Sequence, residues 1–184
     1  MSPRISPVTR VVAIGIGAAL FFVLGRFLAI PTPIPNTTIN LQYAVLAVFA
    51  VLYGPLVGVL AGLIGHVLVD ATGYGIWPTW ETGSAVFALI VGLVMLHNHV
   101  REGEFPRRTL VRFVLAVAIA NAVTWVLWAP IGDVLIMGEP ASKVFTQGVL
   151  AFVANSVTAA VLGGIILGIY ARSRTRTGSL TLDR

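Results

Sequence analysis

Two side chains capable of acid–base or metal chemistry, His66 and Asp70, stand four residues apart in an otherwise apolar stretch. Residues at this spacing share a helix face, so they either form a hydrogen bond that anchors a loop or belong to a binding site. Glu81 is a third conceivable metal ligand, but His97 and His99 fall in a different loop. We therefore predict no metal, no cofactor and no catalytic residue.

Hydrolytic chemistry is not indicated either. The chain has no G-x-S-x-G motif, and no base partner for Ser84 is identified by spacing. It has no cysteine, which excludes disulfides and thiolate sites. Its one lysine, Lys143, does not belong to a G-x-x-x-x-G-K motif, so ATP hydrolysis through a P-loop is not expected. Binding and transport are the function classes that fit, and we predict that the chain is not an enzyme.

A stripe of polar and aromatic residues suits the recognition of a flat small molecule. The stripe consists of four residues at helical spacing, namely Asn121, Thr124, Trp125 and Trp128. Aromatic rings can stack on a heterocycle while amides bond to its edge. An interfacial aromatic belt is the alternative for the tryptophans other than Trp125. The candidate substrate-binding residues are Asn36, Thr37, Asn40, Gln42, Tyr43, His66, Asp70, Tyr74, Trp77, Trp80, Glu81, Asn121, Trp125 and Asn155.

The chain that must position these groups has the composition of a membrane protein. Of its 184 residues 57% are hydrophobic and 10% are charged, against roughly 25% charged residues in a soluble domain. A crossing takes about 20 apolar residues, so the apolar runs use nearly the whole chain. We predict one membrane domain over residues 1–184 and no binding to nucleic acid.

The distribution of basic residues predicts the number of crossings. The apolar run over residues 41–69 contains Gly54-Pro55, which favours a break into two helices. With this break, ten of the 12 basic residues lie on one side, leaving Arg26 and Lys143 opposite. The positive-inside rule then favours an all-α, six-helix membrane protein with both termini cytoplasmic. The predicted helices are about 8–30, 41–53, 55–69, 82–98, 110–131 and 144–171.

The segment IPTPIPNTTINLQY, residues 30–43, is external in this topology. Its alternating prolines favour an extended path, and irregular backbone at a membrane is tolerated where protein buries it or water reaches it. We predict that residues 31–40 form a lid.

Small residues recur every four positions, as in Ala13 and Gly17 or Gly54, Gly58 and Gly62. Such spacing lets helices approach closely in lipid. The ladders pack either within the bundle or against another subunit, and periodicity does not distinguish the two.

Several motifs resemble those of a known family. The motifs are VVAIGIGAAL with LGR at 11–26, IPTPIPNTTI at 30–39, GPLVGVLAGLIGH followed by Asp70, and YGIWPTWE at 74–81. Together they resemble the riboflavin-type S components of energy-coupling factor (ECF) transporters. The resemblance is close over residues 11–96 and looser afterwards.

The resemblance implies a six-helix subunit of the prokaryotic plasma membrane that captures a vitamin or related micronutrient and works with a transmembrane coupling subunit and two ATPase subunits. In S components an A-x-x-x-A motif on the first helix contacts the coupling subunit. The matching residues here are Ala13 and Gly17, so the second position departs to glycine, which keeps the surface small. The first external loop closes over the substrate in such proteins. Metal-importing members carry a histidine after the initiating methionine, whereas this chain begins Met-Ser-Pro.

The substrate class suggested by these residues is a flavin, a pyrimidine or a pyridine vitamin. Two alternative functions stay open. One is an assembly protein whose polar loop docks a protein partner, and the other is a carrier that transports a small solute without partner subunits.

Overall fold

The computed structural model describes residues 5–174, and these form six helices and one small hairpin. Arg4, Arg176 and Arg184, which contributed to the predicted charge asymmetry, lie outside the described residues. The helices are α1 (Pro7–Phe27), α2 (Gln42–Tyr53), α3 (Pro55–Thr72), α4 (Pro78–Val94), α5 (Arg107–Met137) and α6 (Ala141–Ser173). A short 3₁₀ turn, Val100–Glu102, lies between α4 and α5. The predicted all-α class is confirmed.

Four of these helices, α1, α3, α5 and α6, are long and apolar enough to cross a membrane. The other two are shorter apolar helices. With 12 residues, α2 extends only about 18 Å at 1.5 Å per residue. The protein is thus a multi-pass membrane protein, while six crossings and the orientation of the termini stay predictions.

The predicted break between α2 and α3 is present at Gly54. This residue has φ 93° and ψ 169°, a conformation that side-chain-bearing residues rarely adopt. Pro55 then occupies the first position of α3, where its missing N–H is not needed. The Gly-Pro pair therefore ends one helix and starts the next without a connecting loop.

Two helices depart from regular α geometry. In α5 the segments Ala122–Trp128 and Asp133–Met137 are π-helical, and in α6 Ala159–Gly163 is π-helical. A π turn bonds residue i to i+5 and thus takes one residue more than an α turn. The helix α5 continues past the predicted end at residue 131 and carries Asp133 within it.

The small-residue ladders pack within the bundle. A Cβ atom added at Gly17 would lie 2.9 Å from Phe49 Cδ1 and 3.0 Å from Ala61 Cβ, and one at Gly62 would lie 3.0 Å from Leu46 Cδ2. Ala13 is also buried. Of the two interpretations left open by the sequence, packing within the bundle is the one that the described contacts show.

The hairpin, the α3–α4 connection and the α5–α6 connection lie together, and we call this region the hairpin end. Arg26 and Lys143 belong to it: Arg26 Nε donates to the Thr72 carbonyl at 3.2 Å. At the opposite end Arg174 Nε donates to the Arg101 carbonyl at 3.2 Å, and Arg112 donates to the Val94 carbonyl.

Candidate functional site

A cavity opens at the hairpin end, between the hairpin and the ends of the helices beneath it. It contains about 850 Å³ of empty space, counted with its opening to solvent. Most of the predicted substrate-binding residues line it, namely Asn36, Thr37, Asn40, Gln42, Tyr43, His66, Asp70, Tyr74, Trp77, Trp80, Trp125 and Asn155. Residues that are separate in sequence are therefore brought to one place.

Antiparallel pairing of Ile30–Pro31 with Thr38–Ile39 shapes the hairpin that covers the cavity. Thr32 Oγ1 donates to the Thr37 carbonyl at 2.6 Å, and Asn36 has φ 55°, a left-handed conformation that asparagine tolerates. The alternating prolines led us to predict an extended segment, and the pairing of its two ends was not foreseen.

The hairpin is held to α6 by one long-range hydrogen bond. Gln147 Nε2 donates to the Pro35 carbonyl at 2.8 Å. Gln147 lines the cavity and is buried, but our candidate set did not include it. No local sequence signal connects two residues this far apart in the chain.

Four polar side chains form a line, of which Tyr43, His66 and Asp70 line the cavity and Ser84 is fully buried. Ser84 Oγ shares hydrogen bonds with Tyr43 Oη at 2.9 Å and with His66 Nδ1 at 2.6 Å. On the other side of the ring, His66 Nε2 lies 3.7 Å from Asp70 Oδ1. This distance is too long for a hydrogen bond, so the direct bond that was one of the two alternatives for His66 and Asp70 is not formed, although the two residues share a face.

Asp133 is a buried carboxylate that bonds to the tryptophans of the cavity wall. Its Oδ1 accepts from Trp77 Nε1 at 2.8 Å and from Thr79 Oγ1, while its Oδ2 accepts from Trp80 Nε1 at 2.7 Å. We call Trp77 and Trp80 the aromatic wall. Asp133 also lines the cavity, and sequence analysis missed it because residue 133 was expected in a loop beyond the helix.

Glu81 and Asn121, two predicted site residues, have other positions. Glu81 is buried and its Oε1 accepts from the Trp77 backbone N–H at 3.1 Å. Asn121 donates from Nδ2 to the Val117 carbonyl at 3.0 Å and accepts from Trp125 Nε1 at 2.9 Å. Neither residue is among those that line the cavity, so both act by holding a tryptophan in place.

Trp125 joins the cavity to the core of the bundle. It is fully buried, and its ring stacks on Trp80 with centroids 5.3 Å apart and planes 24° apart. Tyr43 meets the same ring edge-on at 5.2 Å. Trp128, by contrast, is 49% exposed and donates from Nε1 to Thr82 Oγ1 at 3.1 Å, which fits the interfacial belt that we gave as the alternative.

Three residues that line the cavity carry a buried oxygen atom with no hydrogen-bond partner among residues 5–174. These atoms are Asn40 Oδ1, Gln42 Oε1 and Asp70 Oδ2. No group of three or more His, Asp or Glu side chains suited to a metal ion occurs in the same described part of the chain.

Ala13 and Gly17 lie on the inward side of α1. Their burial within the chain means that a second subunit would contact these side chains only if α1 moved away from its neighbours. The outward side of the helix carries Val12, Gly15 and Ile16, and an added Cβ at Gly15 would meet nothing within 4 Å. The predicted role of Ala13 and Gly17 in subunit coupling stays a prediction.

Comparison with known families shows the family to which the chain belongs. The family model described as "ECF-type riboflavin transporter, S component" matches residues 6–172. The chain belongs to this family. The sequence resemblance is thereby confirmed and extended to almost the whole chain. The protein is a component of a membrane transporter and not an enzyme.

Relatives of similar length occur in bacteria. The chain is 52% identical over 177 residues to a protein of Streptococcus gordonii named "UPF0397 protein", covering 96% of this chain and 95% of the relative. It is 51% identical over 171 residues to a protein of the same name from Lactococcus lactis subsp. cremoris, covering 92% and 94%. A Streptococcus pneumoniae relative, also named "UPF0397 protein", is 48% identical over 177 residues, covering 96% and 97%. No solved structure gives a significant match.

Proposed function

We propose that this chain is the substrate-capturing subunit of an ECF-type importer and that its cargo is a vitamin or related micronutrient of the flavin, pyrimidine or pyridine type. The cavity at the hairpin end is the observation that carries the proposal. Aromatic rings and buried polar side chains line this cavity, which is the composition typical of small-molecule sites.

The walls of the cavity suit a flat heterocycle. Trp77 and Trp80 are fixed through their indole N–H groups by Asp133, so their rings are held in place before a ligand arrives. Preorganised aromatic groups lose little freedom on binding. The side chains of Asn36, Asn40 and Asn155 supply amide groups around the edge of the same space. In this arrangement the ring of a ligand stacks on the tryptophans while the amide groups form hydrogen bonds with the edge of that ring.

Topology supports capture from outside the cell. In the proposed six-crossing arrangement the hairpin end is external and both termini are cytoplasmic, because this orientation places most basic residues on the inner side. The cavity then faces the medium, and residues 31–40 act as its lid. The bond from Gln147 to the Pro35 carbonyl holds the lid closed.

Energy for import comes from partner subunits in this proposal. A transmembrane coupling subunit and two ATPases would supply it, as family membership implies. The small-residue motif at Ala13 and Gly17 is the proposed contact with the coupling subunit. Since both residues are buried against α2 and α3, we infer that this contact requires α1 to shift, which would link coupling to a rearrangement of the bundle.

A binding experiment with matched tryptophan variants tests capture. The chain is purified in detergent, any molecule released on denaturation is identified by mass spectrometry, and that molecule is titrated back while tryptophan fluorescence is followed. Trp80→Phe removes a cavity residue and its bond to Asp133, whereas Trp128→Phe removes an exposed indole and its bond to Thr82. We expect Trp80→Phe to weaken binding at least tenfold and Trp128→Phe to bind like the wild type.

The two alternatives give different results in the same system. An assembly protein would release no small molecule and would respond to none in the titration. An autonomous carrier would accumulate the identified molecule in liposomes that contain this chain alone. Uptake that appears only when the coupling subunit and ATPases are reconstituted with it would support the proposed function.

A further inference from the structure

The cavity has an excess of hydrogen-bond acceptors that the protein itself does not use. Asn40 Oδ1, Gln42 Oε1 and Asp70 Oδ2 are buried and lack partners among residues 5–174. Leaving a buried polar group unpaired costs about 1–3 kcal/mol, and more for a charged group. Three such atoms around one cavity indicate that a ligand supplies the missing donors.

Two of these acceptors have defined orientations. Asn40 uses its Nδ2 to donate to Thr38 Oγ1 at 3.3 Å, which leaves Oδ1 as the free atom. Asp70 is only 4% exposed, and its Oδ2 is buried without a hydrogen-bond partner among the described residues, while its Oδ1 lies 3.7 Å from His66 Nε2. A cation beside a buried carboxyl group favours its ionised form, and in that form both oxygens accept hydrogen bonds.

Gln42 is constrained by packing. A Cβ atom at position 25 would collide with Gln42 Oε1, so the glycine at this position leaves room for the amide oxygen. Both Gly25 and Gln42 line the cavity. Gln42 Oε1 therefore fits beside α1, and it accepts no hydrogen bond from the described residues.

The two cations near the cavity each have a partner in the protein. Lys143 lines the cavity with its Nζ 5.9 Å from the centre of the Trp77 ring, and it pairs with Glu139 Oε2 at 2.7 Å. Arg26 Nε donates to the Thr72 carbonyl at 3.2 Å. The other carboxylate that lines the cavity, Asp133, already accepts from three donors. Asp70 is thus the carboxylate in the wall whose second oxygen is left for a ligand, and a negatively charged ligand group beside it would be repelled.

We propose that the substrate presents a cationic, N–H-rich nitrogen group, such as a protonated amine or an amidine-like edge, to Asp70, Asn40 and Gln42. Its flat part lies against the aromatic wall. This inference rests on the proposed function and narrows it, since it favours an amino-substituted pyrimidine or pyridine over a neutral flavin. A planar group with several donors matches three separate acceptors better than a single hydroxyl does.

The test combines the released molecule with a defined panel of probes. Pyridoxamine and pyridoxine differ only in an amine in place of a hydroxyl, thiamine is cationic, and riboflavin is neutral. Each probe, together with any molecule released from the purified chain, is titrated into the wild type, Asp70→Asn and Glu104→Gln. The Asp70→Asn change keeps the shape of the side chain, and Glu104 is an exposed carboxylate that does not line the cavity. Thermal unfolding of each variant shows that it is folded.

We expect the tightest ligand to carry a cationic nitrogen, to lose at least tenfold in affinity with Asp70→Asn, and to bind Glu104→Gln like the wild type. A neutral or anionic ligand that Asp70→Asn binds equally well would overturn this inference and leave the capture role intact. A cationic ligand insensitive to Asp70→Asn would also overturn it. Release of no molecule, with no response to any probe, would overturn both this inference and the proposed function.

Discussion

Replacing Asp133 by asparagine tests whether this buried carboxylate holds the aromatic wall. In the wild type its two oxygens accept from Trp77, Thr79 and Trp80. Asparagine keeps one oxygen but places an NH₂ group where the other stood, so at least one indole N–H then faces a donor. The variant would lose a hydrogen bond to a charged group, which contributes about 1.5–3 kcal/mol.

The structure gives an expected size for the effect. A loss of about 2–3 kcal/mol in a chain of this length lowers the unfolding temperature by roughly 5–10 °C, since 1 kcal/mol corresponds to about 2–4 °C. The substrate should also bind more weakly, because Trp77 and Trp80 lose their common acceptor. Thermal unfolding in detergent at a fixed scan rate measures the first effect, and fluorescence titration measures the second.

Glu139→Gln is the matched control for Asp133→Asn. It also neutralises a carboxylate of the hairpin end, but Glu139 pairs with Lys143 at the surface, where the ammonium side chain is 41% exposed. Exposed pairs of this kind contribute about 0–1 kcal/mol, so little change in unfolding temperature is expected. If Asp133→Asn unfolds and binds like Glu139→Gln, the proposed role of Asp133 is wrong.

Three further variants test other contacts. Ser84→Ala removes the shared partner of Tyr43 and His66, so we expect a stability loss of about 2 kcal/mol in thermal unfolding; an unchanged transition would contradict this. Gln147→Leu releases the Pro35 carbonyl and should speed ligand dissociation about fivefold, corresponding to about 1 kcal/mol, as measured by displacement kinetics; an equal rate would argue against lid closure by this bond. Gly17→Leu would press on Phe49 and destabilise by about 1–3 kcal/mol, whereas Gly15→Leu, with open space at its Cβ, should unfold no earlier than the wild type.

Much of the fold follows from signals that are local in sequence. Gly54-Pro55 marks the break between α2 and α3 because one residue adopts a positive φ and the next lacks an N–H. Composition and run length likewise predict the helices. The ends of α4 and α5 were less well predicted, since α4 begins at Pro78 and α5 reaches Met137, where polar residues are buried by contacts with other elements.

The site was predicted in its composition but only partly in its geometry. Polar and aromatic residues of the connections were expected to converge, and most of them line the cavity. Some residues face the cavity, and others form hydrogen bonds that position the residues facing it. Which residue does which depends on hydrogen bonds between positions that are far apart in the sequence. Asp133 illustrates this: its partners precede it by more than fifty residues, and hydrophobic periodicity contains no information about such pairs.

The π-helical turns of α5 make the spacing along this helix part of the site. Each wide turn accommodates one residue more than an α turn, and Asp133 lies beyond the first of these segments, Ala122–Trp128. If the same residues adopted α geometry instead, everything after the segment would be rotated by about 100°. Asp133 would then turn away from Trp77 and Trp80, although no side chain had changed. The site therefore depends on the backbone hydrogen-bonding pattern of α5 as well as on the side chains that the helix carries.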